Sequence, residues 1–452
     1  MREWFNRHAW KACVPQGTQG SNPCLSATFF EHNNITKLKI SMSVAPLREV
    51  FGISTDIPKY TYVDRQKLDQ RFQYYLGSQK HIVVHGASKQ GKSCLRKKMI
   101  DDANCLIVQC LPAMTKGEEV WRTALRNAGV ERMTRSSSSK EFASQVEGEV
   151  EGQGGLPLVA SVKGKVAGTV KSGDSEVRES SPIGSDSLLP ELAEFLRENN
   201  KRLIIEDFHY LPDHVRQEVA FGLKALYEES AYVVIVGIWS EQNLITYYNG
   251  DLTGRIEEIN LTWNKNELSQ VLSQGEGALN IEFAPGLRNQ LIESAFENVG
   301  LLQRLAEKVC LEADVLESQP AKKDLSDITF LNTARQQLVT DIRQRYLNIA
   351  DVFKASMRSD AVLLLYARIY NELIDASDEQ LIKGIEYPVL FNRIEQHAQS
   401  VTIRQSDLTS ALDKVERLQA RKGVTPLLVS YSKNLRKLFL FEVGFFCFEL
   451  RL

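Results

Sequence analysis

The chain has 452 residues, of which 43% are hydrophobic and 25% are charged, an ordinary globular composition that excludes a wholly disordered, collagen-like or mucin-like chain. With 55 basic and 57 acidic residues the net charge is -2, which excludes a protein that is basic throughout but leaves room for a local basic face. The length predicts about two to four domains.

The N-terminal segment, the cysteines and the lengths of apolar runs give only general indications of the class of protein. Residues 1–41 have no continuous apolar stretch, and we interpret them either as an extension of unknown role or as an over-long start before Met42. The seven cysteines contain no C-x-x-C pair, which favours reduced thiols in the cytoplasm over a zinc ribbon or a disulfide scaffold. No apolar run reaches the ~18–20 residues of a membrane helix, so we expect no membrane association.

An α/β domain is predicted over residues 42–262. Near-continuous β-branched runs are typical of strands buried on both faces of a parallel sheet. Helical patterns lie between these runs, and the alternation predicts a doubly wound α/β fold. The strand runs are 81–86, 105–111, 202–208 and 232–239, and the helical patterns are 118–129, 188–200 and 215–229.

One segment, 131–186, interrupts this alternation. Within it, valine and glycine alternate first with glutamates (146–151) and later with lysines (162–171), which predicts two strands with oppositely charged polar faces. We interpret the segment as a β-hairpin insertion, and a disordered loop is the alternative.

A phosphate-binding motif, G-x-x-x-x-G-K-S, follows the first strand run and precedes a helical pattern. Its glycines let the backbone N–H groups face phosphates, Lys92 is expected to reach the β- and γ-phosphates, and Ser93 to ligate Mg²⁺. The predicted nucleotide-binding residues of this loop are Gly86, Ala87, Ser88, Lys89, Gln90, Gly91, Lys92, Ser93 and Cys94.

An acidic pair, Glu206 and Asp207, ends the strand run 202–208. One carboxylate is expected to hold Mg²⁺ and the other to polarise the attacking water. By position Glu206 is the metal ligand and Asp207 the base, but the order of the two residue types is the reverse of the usual Asp-Glu, which leaves the division of roles open. A surface acidic pair is the alternative.

Two further residues are candidates for catalytic roles. Ser240, at the end of the run 232–239, is predicted to contact the γ-phosphate or else to cap a helix. Arg255, between Gly254 and a strand pattern, is predicted to be an arginine finger for a neighbouring subunit or else a partner in a structural ion pair. The histidines near these motifs lack the spacing of metal ligands, and we interpret them as structural.

The C-terminal half is predicted to be mostly helical. Residues 263–328 have a helical pattern that ends in the linker-like stretch 318–327, and 329–452 contain a helical connector, three helices and strand-like runs at 426–432, 437–442 and 444–450. Three helices followed by a β-hairpin is the order of a winged helix. We expect the phenylalanines between 439 and 448 to lie in a core or an interface.

These motifs in order resemble the AAA+/STAND class of P-loop ATPases, over about residues 47–452. The segment "YVDRQKLDQRF" (62–72) is similar to the box that precedes the first strand in that class, where Arg65 matches an arginine beside the adenine. The resemblance implies an α/β core, a helical lid at 263–328, ATP and Mg²⁺ as ligands, and hydrolysis. It also implies a lid arginine near Gly300, where this chain has Gln303 followed by Arg304.

The segment 401–438 has eight basic and three acidic residues, a local charge of +5. Lys433, Arg436 and Lys437 would lie at the tip of the wing, where they could meet phosphates of DNA. The predicted recognition helix, however, has Asp407 and Asp413, and contact with protein is the alternative.

Three functions follow from these patterns. The first is an ATP-hydrolysing switch that forms homo-oligomers or controls a separate effector in signalling or phage defence. The second is a DNA-binding ATPase of the initiator or transposition-regulator type. The third is a nucleotide-bound scaffold that does not hydrolyse ATP.

Overall fold

The computed structural model describes residues 44–130, 187–354, 361–397, 403–442 and 444–445, apart from the single positions 55, 66, 240 and 425. The predicted hairpin at 131–186, residues 1–41 and Ser240 lie outside the described residues. The division into domains at 42–262, 263–328 and 329–452 stays a prediction.

A five-stranded parallel sheet forms the centre of the N-terminal part, in the order β2-β3-β4-β1-β5. Every residue of β1 is buried, as a β-branched run inside a two-sided sheet requires. The predicted doubly wound fold is therefore confirmed. The strands are β1 (His81–His85), β2 (Cys105–Gln109), β3 (Arg202–Glu206), β4 (Val233–Val236) and β5 (Ile256–Asn260).

Helices cover both faces of this sheet, because successive strand residues point to opposite sides. The helices are α1 (Leu47–Val50), α2 (Leu68–Gly77), α3 (Lys92–Met99), α4 (Gly117–Asn127), α5 (Leu188–Glu198), α6 (Asp213–Glu228) and α7 (Leu244–Tyr248). Val83 and Ile205 pack with α4, α5 and α6, whereas Ile82 and Ile204 pack with α2 and α3.

The predicted lid consists of three helices, α8 (Lys265–Leu279), α9 (Pro285–Ser294) and α10 (Val299–Glu312). The stretch 318–327, predicted to be a linker, contains strand β7 (Lys323–Leu325), which pairs in parallel with β6 (Ile281–Phe283). The prediction missed β7 because only Leu325 of its three residues is buried, which is too little to give a pattern. Helix α1 and the residue after it complete the lid core, since Leu47 and Phe51 belong to the same hydrophobic cluster.

A long helix, α11 (Ile328–Lys354), leads from the lid to the C-terminal part. That part has an antiparallel sheet in the order β8-β10-β9, made of β8 (Ile385–Glu386), β9 (Val429–Ser432) and β10 (Lys437–Leu440). Its third strand is β8 rather than the predicted run 444–450, which lies mostly outside the described residues; the winged helix itself stays a prediction. The helices are α12 (Ala361–Asp375), α13 (Asp378–Lys383), α14 (Tyr387–Gln396), α15 (Gln405–Asp413) and α16 (Val415–Arg421).

The C-terminal part packs directly on the α/β part. Leu427, Phe439 and Phe441 are buried in the hydrophobic cluster that also contains Trp239 and Phe208. The phenylalanines that the structure describes are thus core and interface residues, as expected from the sequence.

Candidate nucleotide site

The P-loop joins β1 to α3 at the edge of the sheet where the parallel strands end. Gly86 and Gly91 have φ angles of 138° and 84°, a region that favours glycine. A Cβ atom on Gly86 would come within 2.5 Å of the carbonyl oxygen of Leu261. Both glycines are therefore required for the loop to fold back over the start of α3.

Lys92, the first residue of α3, is buried beneath this loop. Its Nζ donates hydrogen bonds to the carbonyl oxygens of Gly86 (3.1 Å) and Ala87 (2.6 Å). Burial lowers the pKa of Lys92 to about 7, although Asp207 and Glu206 oppose this effect. A desolvated cation that is bonded to neutral carbonyls has a strong electrostatic preference for an incoming anion.

A cavity of about 270 Å³ lies beside the P-loop, between the α/β part and the lid. The residues that line it come from the segment before α2, from the P-loop and α3, from the ends of β3 and β4, and from the lid. They are Gly52, Ile53, Ser54, Pro58, Thr61, Tyr62, Val63, Arg65, Lys89, Gln90, Gly91, Lys92, Ser93, Cys94, Asp207, Val236, Gly237, Ile238, Trp263, Val299, Gly300 and Gln303.

Arg65, predicted to lie beside a nucleotide base, does line this cavity. Its guanidinium stacks on the ring of Trp263 at 4.1 Å, and its Nη1 donates to the carbonyl oxygen of Gln90 at 3.4 Å. Trp263 Nε1 donates to the same oxygen at 3.2 Å. Sequence reasoning missed Trp263, which holds Arg65 against the P-loop.

The two acidic residues at the end of β3 have different surroundings. Asp207 has a left-handed backbone (φ 56°) and lines the cavity. Glu206 is only 7% exposed and accepts a hydrogen bond from Arg96 Nε at 3.2 Å. Burial raises the pKa of both carboxyls, an effect that Arg96 opposes at Glu206 and Lys92 opposes at Asp207.

Gln109, the last residue of β2, donates a hydrogen bond to the carboxylate of Asp207 through Nε2. Gln109 is not among the site residues predicted from the sequence motifs. The available signal was its position, since β2 and β3 are neighbours and Gln109 lies opposite Glu206. Because β2 and β3 are parallel, a polar residue at the end of β2 lies at the same edge of the sheet as the acidic pair.

The lid contacts the P-loop through backbone and amide groups. Asn298 Nδ2 donates to the carbonyl oxygen of Ser88 (2.7 Å), and the Gly300 N–H donates to that of Lys89 (3.2 Å). A Cβ atom on Gly300 would lie 2.7 Å from the Cβ of Lys89, so this contact depends on glycine. The P-loop and the start of α10 are therefore in direct contact through these groups.

Of the two lid residues that the resemblance brought to attention, Gln303 lines the cavity and donates to Thr61 Oγ1 at 3.2 Å. Arg304 instead lies 3.6 Å from Asp341 of α11. In this structure the lid therefore contributes an amide, and not a guanidinium, to the site.

Arg255 lies at the opposite edge of the sheet from the P-loop, next to the start of β1. Its Nη1 donates to Glu228 at 2.8 Å, and its guanidinium lies 4.9 Å from the ring centre of Tyr227. The ion pair that was the alternative to an arginine finger is thus present. The remaining candidate, Ser240, lies outside the described residues.

Few side chains of the described residues are placed to hold a metal ion. Among the described residues, no group of three or more His, Cys, Asp and Glu side chains could hold a metal ion. Mg²⁺ commonly needs only one or two protein oxygens beside phosphate oxygens and waters, and Ser93 and Asp207, which both line the cavity, fit that requirement. Within the part of the chain that the structure describes, no helix has both the length and the apolarity to cross a membrane.

No model of a known protein family matches the chain, and no curated protein matches it either. Solved structures are similar at low identity. A Walker-type ATPase of Pyrococcus abyssi is 13% identical, with a TM-score of 0.45, over 89% of this chain and 100% of that one. Cdc6p of Pyrobaculum aerophilum is 10% identical, with a TM-score of 0.41, over 88% and 95%.

A STAND protein with a tetratricopeptide repeat sensor from Pyrococcus horikoshii is 13% identical, with a TM-score of 0.34, over 87% of this chain and 43% of that one. The strand order, the P-loop after β1 and the helical lid, described above, identify the fold independently of these similarities. At the level of fold, the chain has the parallel α/β arrangement of an AAA+-type P-loop fold.

Proposed function

We propose that this protein binds Mg²⁺ and ATP between its α/β part and its lid, hydrolyses the nucleotide, and acts as a switch. The observation that carries the proposal is the meeting of Lys92, Ser93 and Asp207 on one cavity that is closed by lid residues of α10. Arg65 and Trp263 also line this cavity, where they form a cationic and aromatic part of its wall.

Each of these residues has a task in the proposed reaction. Lys92 exchanges its bonds to the carbonyls of Gly86 and Ala87 for the phosphates. Ser93 and Asp207 would hold Mg²⁺, which neutralises charge on the phosphates. Gln109 fixes the carboxylate of Asp207, which also orients the attacking water.

The switch requires a connection from the nucleotide to the C-terminal part. Arg216 of α6 donates to the carbonyl oxygen of His209 (2.8 Å), two residues after Asp207, and to Glu416 of α16 (2.9 Å). Arg216 is 9% exposed, so this ion pair is largely shielded from solvent. Such a contact favours one arrangement of the two parts, which nucleotide state can bias.

The arrangement of the basic residues favours an effector or another protein as the client over DNA. Lys433 lies 3.5 Å from Asp413, Lys437 lies 3.4 Å from Glu386, and Arg436 lies over the ring of Tyr387. Cations that already have acidic or aromatic neighbours gain less from phosphate contacts. The client is thus proposed to be an effector protein, in signalling or phage defence.

The proposal is tested by phosphate release and particle mass, with and without ATP, for the wild type and for Lys92→Ala and Arg255→Ala. We expect Lys92→Ala to abolish phosphate release. If Arg255 serves a neighbouring subunit, Arg255→Ala loses roughly 10³-fold or more of the activity, whereas Arg197→Ala, which removes a comparable pair with Glu229, does not.

Two outcomes would contradict parts of this proposal. Full activity of Arg255→Ala in an unchanged assembly would rule out the finger. Equal phosphate release from the wild type and Lys92→Ala would support the non-hydrolysing scaffold instead.

A further inference from the structure

Arg96 has a position that the P-loop motif does not explain. It lies one helical turn after Lys92 in α3, and its side chain is only 4% exposed. Its guanidinium contacts two carboxylates, those of Glu206 (Nε to Oε1, 3.2 Å) and Asp102. Arg96 thus joins the helix that follows the P-loop to the strand that carries the acidic pair.

Because of this contact, the carboxylates of Glu206 and Asp207 at the end of β3 have different surroundings. Glu206 is held against α3 by Arg96, with 9% of its side chain exposed, whereas the Asp207 side chain is 37% exposed and lines the cavity. The separation follows from the backbone, because Asp207 adopts the left-handed conformation just after the strand ends. The two neighbours therefore point to different partners.

We propose that Arg96 is a positioning residue that keeps Glu206 away from the metal and leaves Asp207 as the carboxylate of the pair that serves Mg²⁺ and the attacking water. This inference rests on the proposed function, since it assigns roles within the same site. It also explains the reversed Glu-Asp order of the pair. Glu206 stands at the position expected for the metal ligand, but its carboxylate is bound by Arg96, so the role passes to Asp207.

The energetics favour this arrangement. Moving Glu206 to a metal ion would leave the buried guanidinium of Arg96 with Asp102 alone, whose side chain is 64% exposed. A buried charge that loses one partner is strongly destabilised, while the intact pair compensates both groups. Asp207 has no such constraint, because its carboxylate accepts from the neutral amide of Gln109 and lies 4.0 Å from Nδ1 of His209, whose pKa burial lowers to about 3.

The test compares the ATP affinity of the full chain in excess Mg²⁺ and in EDTA by calorimetry, so that it measures metal dependence rather than turnover. We expect Asp207→Asn to lose most of the gain in affinity that Mg²⁺ provides, because the substitution removes the charged oxygen proposed to serve the metal. Glu206→Gln, which can still accept from Arg96, is expected to keep that gain within roughly threefold.

A second variant guards against misfolding. Arg96→Met/Glu206→Leu replaces both partners by apolar residues of similar size, which proteins often tolerate, and it should also keep the Mg²⁺-dependent gain. Arg96→Met alone leaves a buried carboxylate without its partner and should melt at a lower temperature than this double variant. The difference in melting temperature between the two variants is measured in the absence of nucleotide.

Loss of the Mg²⁺-dependent gain in Glu206→Gln or in the double variant, or its retention in Asp207→Asn, would overturn the inference. These outcomes differ from failure of the proposed function itself. In that case the wild type would bind ATP no better than Lys92→Ala does.

Discussion

The nucleotide cavity and the C-terminal sheet use basic residues in opposite ways. In the cavity, Lys92 is bonded to neutral carbonyl oxygens and is buried enough for its pKa to fall to about 7. In the C-terminal sheet, Lys433 and Lys437 lie beside Asp413 and Glu386 and are partly exposed. The buried lysine is therefore expected to attract an anion strongly, whereas each lysine of the second group already has a carboxylate neighbour in a weak, solvent-screened pair.

Two ion pairs of the molecule also differ in how far their side chains are shielded from solvent. Arg216 and Glu416 join the α/β part to the C-terminal part at 2.9 Å, with the arginine side chain 10% exposed. Lys224 and Asp251 form a pair at 3.0 Å with both side chains well exposed. Only in the first pair is a charge shielded enough that removing its partner would be strongly destabilising.

The largest effect is expected for Lys92→Ala. It removes the cation expected to meet the phosphates, and the loss of one partner in a buried charged contact costs about 2–5 kcal/mol, which corresponds to about 30- to 5,000-fold in ATP affinity. Calorimetric titration with Mg·ATP measures this loss. Lys224→Ala, which removes a cation of the exposed pair, serves as the control and should bind as the wild type does.

The next largest effect is expected for Glu416→Ala. Without Glu416, the buried guanidinium of Arg216 loses a carboxylate partner although it still donates to the carbonyl oxygen of His209, and we expect the free energy of unfolding to fall by about 2 kcal/mol or more. Asp251→Ala should cost less than about 1 kcal/mol. Denaturant unfolding of both variants gives the comparison, and equal losses would show that burial does not distinguish the two pairs.

The pH dependence of ATP binding is a smaller effect. Free Lys92 has a pKa of about 7, and bound phosphates favour its charged form, so binding above pH 7 takes up a proton. The affinity should therefore fall roughly fivefold from pH 7 to pH 8 and change little below pH 6.5. A pH-independent affinity would contradict this, and Lys92→Arg, which stays charged, should flatten the profile.

The smallest effect is expected for the C-terminal sheet. If Lys433 and Arg436 are used within the chain, then Lys433→Ala and Arg436→Ala should change duplex DNA binding less than about twofold across a salt series. Fluorescence anisotropy with a labelled duplex measures this. A steep loss of binding with salt that these variants reduce would favour the DNA-binding ATPase.

Much of this fold could be predicted because its signals are local. The buried β-branched runs mark β1 to β4, and the spacing of Gly86, Gly91 and Lys92 marks the loop between β1 and α3. The acidic pair was found because it ends a strand. Each of these patterns is complete within about ten residues of sequence.

The parts that could not be predicted depend on contacts between distant segments. Arg96 and Glu206 are 110 positions apart, and Gln303 and Thr61 are 242 apart. Nothing near Glu206 in the sequence indicates that an arginine binds it. Packing of Phe439 and Phe441 on the α/β part likewise follows from the arrangement of whole elements.

The most direct test of the account is a structure of the full chain determined with Mg²⁺ and a non-hydrolysable ATP analogue. We expect the phosphates within hydrogen-bond distance of Lys92 Nζ, the metal beside Ser93 and Asp207, and Glu206 still bound to Arg96. An analogue bound outside the cavity between the α/β part and the lid, or a cavity left empty at saturating analogue, would contradict it.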